Sequence, residues 1–377
     1  MKRVSIIVLC LVMVLGLSLA GCTSTPTTTA ATTAATTTAA TTGGTTAATT
    51  TAATTASEVD LNGKVFGMIP ITLANGYHQA QVSHQTTYAK EKYGIELKVL
   101  DGKFDQPTIT KNLDQLVAEG VDAIILHTYE AESVEAGIQS ARDAGIPIIT
   151  FYLQTAKSVP FVAINEASAA TQMGIAAATN WKKFWPDKPI KIGVIDYIDS
   201  PVVQAMRTGP FIEGIKSVDA TAELVKKIDG GGTRETGYKA AQDLLQSNPE
   251  CNIIYGASSD YSLAILPALQ EAGRGKAIDG VPQTEILVGT DATEAELVNV
   301  FDPSSSFKVT MGLTPKENAY LLIDTMVKAY TGEIDPDSAT TVEATDKPID
   351  FWSADIAEVQ AWLEEQYMTK VDLSAKK

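Results

Sequence analysis

From Val65 onward the chain alternates short apolar runs with helical patterns of about a dozen residues, and this alternation constrains the fold more than any other feature. Val65–Ile71, Leu97–Leu100, Ala123–Leu126 and Pro147–Phe151 read as strands. Their apolarity is continuous rather than alternating, which suits strands buried on both faces of a parallel sheet. Between them Tyr77–Lys92, Pro107–Ala118 and Glu132–Ala144 read as helices. The second has Pro107 near its first turn and Ile109, Leu113, Leu116 and Val117 along one stripe. Gly120 and Gly145 stand where C-terminal caps belong. The pattern is β-α-β-α-β-α-β, an open, doubly wound α/β sheet.

The pattern then restarts. Lys191–Ile195, Ala222–Ile228, Ile253–Gly256 and Ile286–Thr290 read as strands, and Ser168–Phe184, Pro201–Ser217, Glu235–Gln246 and Ser262–Ala272 as helices. The halves echo each other: Asp122-Ala123-Ile124-Ile125 leads through a helix to Arg142-Asp143-Ala144-Gly145, and Asn252-Ile253-Ile254-Tyr255 leads likewise to Gln270-Glu271-Ala272-Gly273. Two lobes of one architecture are expected, joined near Phe161–Glu166. Lys308–Met311 and Pro315–Tyr330 add a strand and a helix, so the chain crosses between lobes more than once. The tail from Pro336 to Lys377 reads as a short strand and helix packed on a lobe, with Trp352 reaching the cleft as the alternative.

The N-terminus reads differently. Lys2 and Arg3 precede an apolar run from Val4 to Leu19, followed by Leu19-Ala20-Gly21-Cys22. A basic start, a short apolar stretch and small residues describe a secretory signal peptide, too short for a membrane span of ~20 residues. The run into Cys22 resembles a bacterial lipobox, in which the cysteine is lipidated and becomes the mature N-terminus. Thr23 to Ala56 is all Thr and Ala apart from Ser24, Pro26, Gly43 and Gly44. Such a stretch buries no core and is expected to stay disordered. As a flexible coil it would span ~30–35 Å. The net charge of −16 argues against nucleic acid and against direct contact with anionic lipid. With Cys10 in the signal and Cys22 lipidated, Cys251 stands alone, without a disulfide partner, and reads as a buried small hydrophobe.

Enzyme chemistry finds little support. His78 and His84 lie six apart on one helix, the wrong spacing for a shared face, and no HExxH, CxxC, GxSxG or Walker motif occurs. No catalytic residue, metal site or cofactor is expected. Gly230-Gly231-Gly232 follows a strand and precedes a helix, but lacks the lysine and hydroxyl of a Walker loop. Ligands of open α/β sheets bind beyond the carboxyl ends of the strands. Those positions hold Asn75, Tyr77, His78, His127, Tyr129, Glu130, Tyr152, Gln154 and Asn165 in the first lobe and at the join. In the second they hold Asp196, Tyr197, Asp199, Arg207, Ser258, Ser259, Asp260 and Asp291. Amides, carboxylates and a guanidinium around aromatic faces suit a neutral polyhydroxylated ligand, because hydroxyls donate and accept while rings cover C–H faces.

At this point the chain resembles a family. Ile71-Thr72-Leu73-Ala74-Asn75-Gly76-Tyr77, Gly120-Val121-Asp122-Ala123-Ile124-Ile125, Ala144-Gly145-Ile146-Pro147-Ile148-Ile149, Arg207 with Phe211, Ala268-Leu269-Gln270-Glu271-Ala272-Gly273-Arg274 and Val288-Gly289-Thr290-Asp291 follow its order and spacing. The family is the ribose-binding-protein-like, type I periplasmic solute-binding lipoproteins of bacterial ABC importers. The resemblance implies two similar lobes joined by a three-strand hinge, with a sugar enclosed between them. It places the signal at 1–21, the lipidated cysteine and linker at 22–57, the N-terminal lobe at 58–164 and 314–342, and the C-terminal lobe at 165–313 and 343–377. Asn75 and Tyr77 would meet the ligand from the first lobe. Arg207 would fork onto its oxygens, with an inter-lobe salt bridge as the alternative, and Asp291 would accept hydroxyl protons. Asn75 and Asp291 are also open to reading as helix caps. His78, His127, Tyr152, Asn165, Ser258 and Asp260 complete the expected ligand set.

The departures are Tyr152-Leu153, where pentose binders carry Asp-Arg, Ser258-Ser259-Asp260 in place of Asn-Asp, and Leu313 in place of an amide at the last crossover. A more apolar, aromatic pocket follows, suited to a different sugar, a deoxy or methylated one, or another small polar molecule. The resemblance implies an extracytoplasmic, lipid-anchored monomer that binds one sugar-like ligand and docks on an ABC permease with its cytoplasmic ATPase, touching the membrane only through the anchor and binding no nucleic acid. A ligand-presenting partner of a chemoreceptor or histidine kinase is the second reading, and a surface glycan hydrolase the third.

Overall fold

The computed structural model describes residues 60–155, 159–338 and 340–376. The expected signal peptide, Cys22 and the Thr/Ala stretch lie outside the described residues. The first half runs β1 (Val65–Ile69), α1 (Gly76–Tyr93), β2 (Glu96–Val99), α2 (Gln106–Glu119), β3 (Ala123–His127), α3 (Ala131–Asp143), β4 (Ile148–Phe151) and β5 (Phe161–Asn165). These strands form a parallel sheet in the order β2-β1-β3-β4-β5. β3 shows why the apolar runs are unbroken. Ile124 and Leu126 pack with residues of α2 and α3 on one face, while Ala123 and Ile125 pack with residues of α1 on the other. Side chains set the helix limits: Asn75 Oδ1 accepts the Tyr77 N–H at the start of α1, and Asp105 accepts the Thr108 N–H at the start of α2.

The second half repeats the scheme. α4 (Ala167–Phe184), β6 (Lys191–Asp196), α5 (Pro201–Val203), α6 (Gly209–Val218), β7 (Glu223–Asp229), α7 (Arg234–Ser247), β8 (Ile253–Gly256) and α8 (Ser259–Glu271) are followed by a small pair, β9 (Ala277–Ile278) and β10 (Val281–Pro282). Then come β11 (Ile286–Val288), α9 (Glu294–Val300) and β12 (Phe307–Gly312). The order β7-β6-β8-β11-β12 matches the first sheet strand for strand. Where one helix was expected over Pro201–Ser217, a π turn at Gln204–Thr208 separates α5 from α6. Pro210 has no N–H, and its ring crowds the carbonyl one turn back, so the turn before it widens. Helix α8 begins at Ser259, earlier than the apolar pattern indicated, and takes Asp260 into its first turn.

The chain passes between the sheets after β5, again between β12 and α10 (Pro315–Tyr330), and at Asp346 between β13 (Thr341–Thr345) and β14 (Lys347–Asp350). The tail therefore supplies two strands rather than one. β13 adds to β5 in parallel, and β14 runs antiparallel to β12. Helix α11 (Ile356–Tyr367) follows, with Val359 and Leu363 in the second-lobe core. Trp352 does not reach the cleft; its indole N–H donates to the Gly280 carbonyl at 3.2 Å. Cys251 is fully buried, and burial pushes its thiol up to about 11, as suits a small hydrophobe.

Candidate functional site

A cleft cavity of about 390 Å³, partly open to solvent, lies between the carboxyl ends of the two sheets. Asn75, Tyr77, His78, His127 and Tyr152 line it from the first lobe, and Arg207, Ser258, Asp260 and Asp291 from the second. Asn165 does not. It is exposed at the end of β5, while Ile164, one residue before it on the opposite face of the strand, turns inward; Glu166, at the start of α4, is buried. Tyr129, Glu130, Tyr197 and Asp199 also line the cavity. Asp196 lies behind it, accepting from Gln204, Thr208 and the Tyr197 N–H.

The polar floor is largely tied together. The Arg207 guanidinium forks onto Glu166, Nε to Oε2 at 2.5 Å and Nη2 to Oε1 at 2.6 Å, and gives Nη1 to the Ala257 carbonyl at 2.8 Å. The π turn aims Arg207 here, and Glu166 sits at the first crossing with no exposed surface. Burial opposes the charge of Arg207, but Glu166 outweighs it and holds the guanidinium pKa above its ordinary value. Arg207 is thus a hinge-anchored ion pair first, with its outer face toward the cavity. Asp291 Oδ2 accepts from both the N–H (3.0 Å) and Oγ (2.6 Å) of Ser259, and burial raises its carboxyl pKa against the pull of Arg207. Asn75 Nδ2 crosses the cleft to donate to Ser259 Oγ at 2.9 Å, so Asn75 is both a helix cap and an inter-lobe contact.

The inner part of the first-lobe wall is aromatic, built around two imidazoles. The rings of His78 and His127 meet edge to face at 5.2 Å, and His127 lies 4.9 Å from Phe151. Burial, then the charge of Arg207, pulls the His78 pKa from 6.5 to about 3. His127 is also driven well below its ordinary value, by burial and then by His78 and Arg207. Both Nδ1 atoms are buried without a hydrogen-bond partner among the described residues. Tyr152 completes this wall at φ 67°, its ring 5.5 Å from the Arg207 guanidinium carbon and its hydroxyl donating to Glu166 at 3.2 Å. A left-handed backbone is costly for a bulky residue, and Phe104 (φ 52°) and Asp291 (φ 98°) on the same cavity share it.

Phe104 was missed by the sequence reading, although it too follows a strand. It stacks on Tyr129 at 5.2 Å, comes within 6.0 Å of Tyr197 in the opposite lobe, and abuts Gly232. A Cβ on Gly232 would sit 2.4 Å from the Phe104 ring. The glycine run is thus a socket: Gly231 and Gly232 have φ 66° and 83°, and the Gly232 N–H is held by the Tyr261 hydroxyl at 2.8 Å.

Among the described residues no three His, Cys, Asp or Glu side chains gather as a metal site. What the arrangement can do is surround a small molecule with rings, fixed donors and acceptors, and then close over it. Two like lobes on a three-crossing hinge, with the cavity between them, define a cleft-type solute-binding protein.

The chain belongs to the periplasmic binding protein domain family, whose model matches residues 66–334. It is similar to the ribose import binding protein of Bacillus subtilis, 22% identical over 220 residues, covering 58% of this chain and 67% of that one. The galactofuranose-binding protein of Escherichia coli is 26% identical over 227 residues, covering 57% and 71%. Among solved structures, a Mycobacterium smegmatis protein in complex with β-D-fucofuranose superposes with a TM-score of 0.67 at 22% identity, covering 83% of this chain and 97% of that one.

Proposed function

We propose that this protein is an extracytoplasmic receptor that captures a monosaccharide or sugar derivative between its lobes and delivers it to an ABC importer. The ring-lined cavity between the lobes carries this reading: aromatic faces cover sugar C–H faces, and the imidazoles, Asp291 and Arg207 meet hydroxyls. Relatives whose names specify ribose, allose or galactofuranose support it. The protein acts as a monomer, binding one ligand without turnover. Cys22 carries the lipid, and the Thr/Ala stretch tethers the receptor to the outer face of the membrane; replacing Cys22→Ala should move the chain from the membrane to the soluble fraction.

A thermal-shift screen of the full-length chain against monosaccharides, polyols, nucleosides and amino acids tests the ligand class. Ligand at 100 times its dissociation constant adds about 2.7 kcal/mol, which raises the midpoint by roughly 4 °C. A sugar hit that a His127→Leu variant loses is the expected result. A shift from amino acids or nucleosides alone would overturn the sugar assignment while leaving the receptor fold intact.

A further inference from the structure

The cavity is not polar on every side. Phe151 at the end of β4, Ile164 at the end of β5 and Leu313 just after β12 all line it, each at or beside a crossing between lobes. All three are almost wholly buried, at 0%, 5% and 2% exposure. Together they form the hinge-side wall. The polar groups nearest that wall are partly engaged: Tyr152 donates to Glu166, and Arg207 commits its fork to the same carboxylate and Nη1 to the Ala257 carbonyl, leaving only its outer N–H groups for a ligand. The imidazole of His127, packed on Phe151, brings one unpartnered nitrogen to this side. Asn75 and Asp291 belong to the region where Asn75 meets Ser259 across the cleft, and other hydrogen-bonding side chains, among them His78, Glu130, Tyr197, Ser258 and Asp260, also line the cavity.

A hydroxyl pressed against Phe151, Ile164 and Leu313 in the closed form would leave water without finding a partner. An unmade buried hydrogen bond costs about tenfold in affinity or more, whereas a C–H or methyl group on the same spot gains from burial. A site of this kind discriminates by what it leaves unpaired. We propose that the ligand presents a bare carbon edge, a deoxy position or a C-methyl group, to the hinge-side wall. This rests on the sugar reading above and adds which sugars are taken.

The test is titration calorimetry of the full-length chain with matched sugars: fucose against galactose, rhamnose against mannose, 6-deoxyglucose against glucose, and 2-deoxyribose against ribose. At least one deoxy member should bind about tenfold more tightly than its hydroxylated parent. Leu313→Gln, which puts an amide on the wall, should shrink or reverse that preference, while Leu313→Met, apolar and of similar size, should keep it. Thermal midpoints of the two variants show that both are folded. Parents that bind as tightly as their deoxy partners, or a preference untouched by Leu313→Gln, would overturn the proposal and leave the sugar reading standing. Silence from both members of every pair would overturn the two together.

Discussion

Glu166 and Arg207 show how one residue can decide a site. A forked ion pair with the carboxylate fully buried is costly to break, because the surviving partner keeps its desolvation penalty. Glu166→Ala should therefore cost ~3–5 kcal/mol, a midpoint lower by roughly 4–7 °C in a chain of this size. The double change Glu166→Gln with Arg207→Met should recover much of that loss in the same melting experiment, since no charge is left unpaired. His78 makes a pH prediction of definite sign. Folding holds its pKa at about 3, against 6.5 unfolded, so the unfolded chain binds more protons between those values. The His78 contribution is complete above pH 6.5 and is lost as pH falls toward 3. Stability measured by urea titration should fall less steeply through that window in a His78→Phe variant than in the parent. The buried carboxylates Asp291 and Glu296 titrate with the opposite sign but are common to both chains, so they cancel in the difference. An identical slope in the two chains would show that His78 takes up protons as easily folded as unfolded.

Elements were far more legible than the contacts they make. Continuous apolar runs and 3.6-residue stripes placed the strands and helices, because burial on two faces leaves an unbroken apolar signature, as β3 shows. The tail was harder to read. Thr341–Thr345 and Lys347–Asp350 are short edge strands whose sequences, TVEAT and KPID, carry no run of apolar residues to announce them. Within the site, strand ends pointed to Asn75, His78, His127, Tyr152, Arg207, Ser258, Asp260 and Asp291 as cavity residues. Asn165 ends β5 facing solvent while Ile164 lines the cavity, a difference of strand face that the residues after a predicted strand do not reveal. Phe104 left no trace because its position depends on a left-handed backbone at Lys103 and Phe104, which the sequence does not announce. That turn carries the ring across the cleft onto Gly232, so the loop before α2 works as a latch. Removing the ring should weaken the closed form without touching the encounter of ligand with the open one. In stopped-flow measurements with a sugar that binds, Phe104→Ala should raise the dissociation rate about tenfold, the worth of an aromatic contact across the cleft, and leave the association rate unchanged. A variant slowed in association instead would place Phe104 at ligand entry rather than at the latch.

At the scale of the molecule, the two sheets have the same strand order but separate cores, and three single-chain crossings join them. Such a design leaves each lobe rigid and concentrates motion where the backbone crosses. Contacts that span the cleft, such as Asn75 to Ser259 and Phe104 to Gly232 and Tyr197, are small beside the lobe cores, so the closed form gains a modest margin from the protein alone. Ligand must supply the rest through its differential affinity for the closed form. Driving a population from 1:99 to 99:1 takes about 10⁴-fold tighter binding to the closed state, and a cavity touched by both lobes can provide that, because a ligand on one open lobe meets half of its contacts. A compact chain of this length has a radius of gyration of about 20 Å, and an opened pair of lobes must exceed the closed value. Small-angle scattering should therefore give a larger radius without ligand than with saturating sugar. The difference should vanish in a chain whose lobes are held shut by a disulfide placed across the cleft mouth. Equal radii with and without sugar in the parent chain would mean that the cavity stays closed on its own, and that ligand enters by local opening at the Phe104 latch instead of by movement of whole lobes.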